Sequence, residues 1–302
     1  METPWGPLPV SDAHVHFFSH RFFSLLAAEK HSTLEAIAPA LAWDLPVDDT
    51  ALASAWVHEL DRHGVARAAL IASHPGDAQS VVNAVQQHPA RFIGYAMVNP
   101  CAPDAPAHSA ALLAGGHIRA LCFFPAMHLY SMHDERVAAV LDLLAATPGA
   151  AAFVHCGALS VGVRKKLGLP SLFDMRHSNP LDVHALALRY PSVPFVIPHF
   201  GAGFFREALM LADLCPNVYL DTSSGNGWMR YEPEPTDLRR VFERALGVTG
   251  LKRLLFGSDS SFFPRGWHAP VFEAQTRALY ELGLKTEEAQ MILHANLEHL
   301  FP

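Results

Sequence analysis

The sequence predicts a single (β/α)₈ barrel. Short apolar runs rich in β-branched residues recur eight times, and each is followed by a helix-compatible stretch. Most of these runs are continuous rather than alternating, which is how strands buried on both faces of a parallel sheet read. The first run ends in His14-Val15-His16-Phe17-Phe18. An open doubly wound sheet would want a glycine-rich phosphate loop there. The length of 302 residues suits one barrel of about 250 residues with insertions.

The expected strands, in order, are Val10–His16, Ala68–Ser73, Phe92–Val98, Ile118–Phe124, Ala151–Gly157, Pro194–Gly201, Asn217–Ser223 and Leu254–Ser260. Ala51–His63 reads as a helix stopped by Gly64, a C-cap residue. Asp77–His88 reads as a helix capped by Asp77 and ended before Pro89. Further helices are expected at Asp104–Ala114, His133–Ala146, Pro180–Tyr190, Gly203–Leu214, Thr236–Leu246 and Pro270–Leu282, with a closing pair at Thr286–His294 and Asn296–Phe301. Two long segments, 17–50 and 158–179, read as irregular loops on the C-terminal rim. Barrel active sites are built on that rim, so both are expected to act as lids or specificity loops of one domain spanning 1–302.

Composition removes several function classes. The formal net charge is −7, which argues against a nucleic-acid footprint. No apolar run reaches the roughly 18 residues of a membrane span. Met1–Val10 lacks a basic stretch followed by an apolar one, so no secretory signal is visible. The four cysteines (Cys101, Cys122, Cys156, Cys215) form no CxxC pair, and a reduced, cytoplasmic setting is expected. Histidine is the outlier, at 19 residues. It titrates near neutrality and is the commonest metal ligand.

Position decides which histidines matter. His14 and His16 are two apart at a strand end, on one face and roughly 6.5 Å apart along the chain. Two imidazoles so placed can converge on one ion, at N–metal distances of about 2.0–2.1 Å for zinc. His155 ends the run Ala151–Val154, His199 ends Phe195–Pro198, and Asp259 ends Leu254–Ser258. Each alone reads equally as a satisfied polar residue or, for Asp259, a helix cap. Together they put a ligand or acid–base group at the ends of strands 1, 5, 6 and 8. His58, His63, His88, His117 and His184 fall in helices or before strands and read as surface or bottom-face residues.

The segments DAHVH, FVHCG, PHFG, GSD and ILHANLEHLF, with Arg91–Pro100 after the third run, resemble the amidohydrolase superfamily. The branch is amidohydrolase-2, which holds aminocarboxymuconate-semialdehyde decarboxylase with related lactonases, hydratases and decarboxylases. The resemblance runs from about Ser11 to Phe301. It implies that His14, His16, His155 and Asp259 hold one divalent metal, with His199 beside it as acid–base group. Imidazole with one carboxylate suits zinc, and manganese or iron can occupy such a site. Binuclear members carry a carboxylated lysine or a glutamate at the end of strand 4. That place here reads Cys122-Phe123-Phe124-Pro125, so one metal is expected.

The resulting expectation is a metal-dependent hydrolase of a small organic acid, lactone, ester or amide, with Asp259 and His199 catalytic. Nonoxidative decarboxylation of a small carboxylate uses the same parts and is the alternative. A metal-binding barrel without turnover, or a hydratase or isomerase on the same metal, would also keep these residues. Both main readings favour an anionic substrate. Arg164 and Arg176 in the loop after strand 5, and Arg265 after Asp259, are the candidate carboxylate contacts. Trp228 after strand 7 is the candidate ring contact. An aromatic-rich barrel is also compatible with a homodimer or larger homo-oligomer.

Overall fold

The computed structural model describes residues 1–223 and 226–302. An eight-stranded sheet runs in chain order with every neighbouring pair parallel. Its strands are β1 (Ser11–His16), β2 (Arg67–Ala72), β3 (Phe92–Val98), β4 (Ile118–Phe123), β5 (Ala151–Val154), β6 (Phe195–Ile197), β7 (Val218–Asp221) and β8 (Leu254–Leu255). The circle closes between β1 and the residues after β8. Ala13 N–H donates to Phe256 O (2.8 Å), Asp259 N–H to His14 O (3.0 Å) and His16 N–H to Ser260 O (2.7 Å). The strands leading to His199 and Asp259 are shorter than expected, because the chain leaves extended geometry early. His199, Phe200 and Asp259 all have positive φ.

Alternation sorts the side chains into two layers. Ile93, Tyr95, Cys122, Phe153, Val196 and Leu255 point inward and fill the barrel. Their strand neighbours Phe92, Ala96, Phe123, Val154, Phe195 and Leu254 pack outward against the helices. The final helical stretch plugs the bottom, with Leu297, Leu300 and Phe301 inside the inner layer. That stretch runs from Thr286 to Leu300 through a π turn at Met291–Ala295, rather than as two separate helices.

Segment 17–50 is not irregular. It carries helices His20–Glu29 and Leu34–Leu41, capped by Ser19 and Thr33, which accept the backbone N–H groups of Phe22 and Ala36. Segment 158–179 adds a short helix, Gly162–Leu167. Phe22, Phe23, Leu26, Ile37, Leu41, Val163 and Leu167 form their own apolar cluster over the barrel mouth. The helices form because each stripe has this partner from a distant part of the chain to pack on, which local sequence does not announce.

This cover is anchored by a buried carboxylate. Ser19 Oγ donates to both Asp77 carboxylate oxygens (2.7 and 2.8 Å), and Ser80 Oγ donates to Oδ1 (2.6 Å). Burial lifts the Asp77 carboxyl to about 6, against the lowering pull of those hydroxyls. The native state therefore binds more protons than the unfolded chain between about pH 4 and 6. The contribution is greatest below that window and declines as pH rises through it. Asp77→Asn does not titrate. The stability of the wild type relative to Asp77→Asn is expected to fall by about 1 kcal/mol from pH 5 to 7.5. Urea unfolding of both proteins at the two pH values checks this, and a constant difference would contradict it.

Candidate metal centre

The centre is built where β1 meets the end of β8. Asp12 lies opposite Ala68, yet Val15 lies opposite Leu70, so β1 carries one extra residue between them. Such a bulge re-aims side chains. Ala13 packs in the inner layer, and the adjacent His14 ring meets Phe153 of the same layer (5.3 Å). Asp12 ties the two ends of the barrel wall together. It accepts N–H groups from His14 (2.9 Å) and Ser258 (3.0 Å), the Ser258 hydroxyl, and Trp267 Nε1–H (2.7 Å). Gly257, just after β8, lets both β7 and β1 approach closely. A Cβ there would lie 2.5 Å from Asp221 Oδ1 and 3.0 Å from His14 Cβ.

Both imidazoles of the HxH pair are oriented from behind. His14 Nδ1–H donates to Asp221 Oδ2 (2.6 Å). The Ser73 hydroxyl donates to Ile71 O (3.2 Å) and so accepts from His16 Nδ1–H (2.6 Å). These partners leave both Nε2 lone pairs facing each other, 3.4 Å apart. Asp259 Oδ1 lies 3.3 Å from His16 Nε2 and 3.8 Å from His14 Nε2. Two nitrogens bound tetrahedrally at about 2.0–2.1 Å from one ion are themselves about 3.4 Å apart. Spacing, tautomers and donor chemistry therefore fit a divalent cation.

Charge follows the same logic. Burial pulls His16, His155 and His199 below the usual imidazole range; the neighbouring histidines add to it at all three, whereas Asp259 opposes the fall. Burial also pushes on Asp259, upward, but the adjacent His16 Nε2 and the positive charge that His14, His16 and His199 can carry outweigh it and hold the carboxyl below its ordinary value. His14 is the exception. Burial lowers it, but the Asp221 carboxylate more than compensates and raises it.

Of the four residues expected to hold an ion, His14, His16 and Asp259 bring ligand atoms within 4.8 Å of one another, and His155 does not join that group. His155 stands across the cavity, stacked on Phe124 (5.2 Å), with its buried Nδ1 lacking a hydrogen-bond partner. His199 lies 5.0 Å from the His14 ring and 5.4 Å from the His155 ring, and its Nδ1 is 2.9 Å from Ser223 Oγ. These five residues face one cavity of about 270 Å³. Phe18, Phe22, Trp43, Phe124 and Phe262 line it, with Arg265 at its rim.

The candidate substrate contacts divide. Arg265 reaches the cavity and donates to Asp259 O (3.1 Å) and Ser261 Oγ (2.9 Å). Arg164 does not line it, because its guanidinium is taken by both Glu29 oxygens (2.6 Å each) and by Pro170 O. Arg176 is exposed and pairs with Asp174. Trp228 is buried against Phe205 in the outer layer, away from the cavity. Sequence reasoning passed over Asp221, Ser223 and Ser73, which orient the imidazoles. Asp221 had a readable signal, since it ends the apolar run Val218–Leu220 as Asp259 ends its own.

An amidohydrolase family model matches residues 11–302. The chain spans about a tenth of the length of the curated relative it matches, the protein fluG of Emericella nidulans, at 36% identity over 91 residues, which is 30% of this chain and 10% of that protein. Among solved structures, one similar fold is named a probable 2-pyrone-4,6-dicarboxylic acid hydrolase, from Acinetobacter baumannii with citric acid bound (TM-score 0.59, 18% identity, 97% of this chain and 99% of that one). Another is 5-carboxyvanillate decarboxylase of Novosphingobium aromaticivorans with manganese and 4-hydroxy-3-methoxy-5-nitrobenzoic acid (TM-score 0.60, 15% identity, 99% and 97%).

Proposed function

The chain belongs to the amidohydrolase family, and from that premise we propose that it is a metal-dependent hydrolase of a small organic anion carrying a lactone, ester or amide. The observation that carries the reading is the convergence of His14 Nε2, His16 Nε2 and an Asp259 oxygen inside one cavity at the mouth of the barrel. His14, His16 and Asp259 would hold one divalent cation, zinc on donor type, with His155 as the fourth donor; manganese is the competitor. Such an ion supplies a Lewis acid and a water of lowered pKa.

The protein's own groups do the rest. Asp259, kept ionised, accepts a proton from the attacking water. His199, outside the ligand group and oriented by Ser223, donates a hydrogen bond or a proton to the oxygen or nitrogen that departs. Arg265 at the rim meets a substrate carboxylate. Phe18, Trp43 and Phe262 stack in sequence, with centroids 6.0 and 4.1 Å apart, and exclude water. The four thiols are unpaired, which agrees with a reducing, cytoplasmic setting. No helix among the described residues is long and apolar enough to cross a membrane.

Decarboxylation is the second reading, favoured by the flat aromatic wall and by the substituted benzoate held in the related fold. Oxygen-18 water separates the two. Metal-loaded protein is offered lactones, esters and amides beside aromatic and unsaturated carboxylates. The expected result is oxygen-18 in the product carboxylate. Carbon dioxide release without label in the organic product would replace hydrolysis by decarboxylation, and neither signal across the panel would overturn both.

A further inference from the structure

The cleft continues beyond the metal centre. A second cavity of about 470 Å³ shares Phe22, Ser73, Met97, Met127, Val161 and Val163 with the first. The shared walls place the two side by side, and a substrate spanning both would meet them as two lobes of one cleft. The first lobe alone falls slightly short of the roughly 300–1,000 Å³ of small-molecule sites, so a substrate filling the cleft would use both. The partition includes two methionines, whose unbranched side chains adapt to what lies against them.

The chemistry of the second lobe is specific. Leu26, Pro75, Leu129 and Phe173 make its apolar surface. Its charged groups are spent on each other, in the two-pronged Arg164–Glu29 pair. Its imidazoles are held neutral. Burial lowers both, His128 to about 4 with a smaller push from His74. His74 Nδ1 already accepts the Gly76 N–H (2.9 Å). His128 is different. Among the described residues neither of its ring nitrogens has a hydrogen-bond partner, Nδ1 is buried, and the half-buried side chain lines the lobe. His128 comes from the Pro125–His128 turn directly after β4, the same turn whose Met127 walls both lobes.

We infer that the second lobe is a subsite for an uncharged substrate tail ending in a hydrogen-bonding group, such as a primary amide or hydroxyl, and that His128 is the residue that meets it. This rests on the first lobe being the reaction centre. A carboxylate tail would confront Glu29 and an ammonium tail would confront Arg164, each already paired. An apolar tail would leave the imidazole unpartnered, and a desolvated polar group without a partner costs about 1–3 kcal/mol.

The test is calorimetry on zinc-loaded protein with straight-chain carboxylates of five to eight carbons, ending in methyl, carbamoyl or a second carboxylate. Acetate serves as the head alone. For at least one length the carbamoyl acid is expected to bind about tenfold tighter than its methyl and dicarboxylate counterparts. His128→Phe should bring the carbamoyl acid down to the methyl acid and leave acetate unchanged. Met127→Trp, at the partition, should weaken the long acids much more than it weakens acetate. Equal affinities for all three ends, or equal losses for all ends in His128→Phe, would overturn the subsite. Failure of the reaction-centre reading shows elsewhere, as protein that keeps no metal and turns over no panel substrate while the end-group preference persists.

Discussion

Asp259→Asn is expected to fold as the wild type does and to lose turnover by about 10²–10⁴-fold, the usual loss when a general base is removed. Its metal content should fall as well. Asparagine keeps the size and the left-handed backbone position, which asparagine tolerates better than most residues (φ 57°). It removes the negative charge beside two imidazoles and the atom that accepts the proton. His14 and His16 remain oriented by Asp221 and Ser73, so the variant isolates the carboxylate. Metal analysis with kcat on the best panel substrate checks the pair of effects. Wild-type kcat would remove Asp259 from proton transfer.

His199→Asn should separate the two effects. His199 is not in the group of converging ligand atoms, and its Nδ1 contact is with Ser223. The variant is expected to keep a full complement of metal and to lose about 10²–10⁴-fold in kcat, with a much smaller change in KM. Its pH–rate profile should lose one limb, since one of the two titrating groups is gone. Loss of metal would make His199 a ligand, and an intact kcat would remove it from the chemistry.

The barrel was legible because eight short apolar runs alternate with helical stretches and the first run ends in HxH rather than the glycine-rich loop of an open doubly wound sheet. Val10–His16 and Phe92–Val98 match what is observed to within a residue. The strands ending at His155, His199 and Asp259 were read too long. Left-handed backbone follows them, at Gly157 after His155 and at His199, Phe200 and Asp259 themselves, and apolar pattern carries no information on that. The helices of 17–50 were missed because their apolar stripes pack on Val163 and Leu167, more than a hundred residues away.

The positions of the candidate site residues were legible for a related reason. His14, His16, His155, His199 and Asp259 sit where strands meet the rim, and topology brings strand ends together. What sequence cannot supply is direction. Arg164, Arg176 and Trp228 lie on the correct loops, but Glu29, Asp174 and Phe205 claim them. Nor does spacing show that the bulge at Ala13–His14 turns one imidazole into the barrel, or that Asp221 and Ser73 fix the tautomers.

The central claim is one cation shared by two imidazoles and a carboxylate. Anomalous diffraction at the zinc edge, from crystals of protein purified with zinc, tests it most directly. One peak is expected, about 2.0–2.2 Å from His14 Nε2, His16 Nε2 and an Asp259 oxygen. A fully loaded crystal with its peak elsewhere, or with no peak between these three side chains, would contradict it.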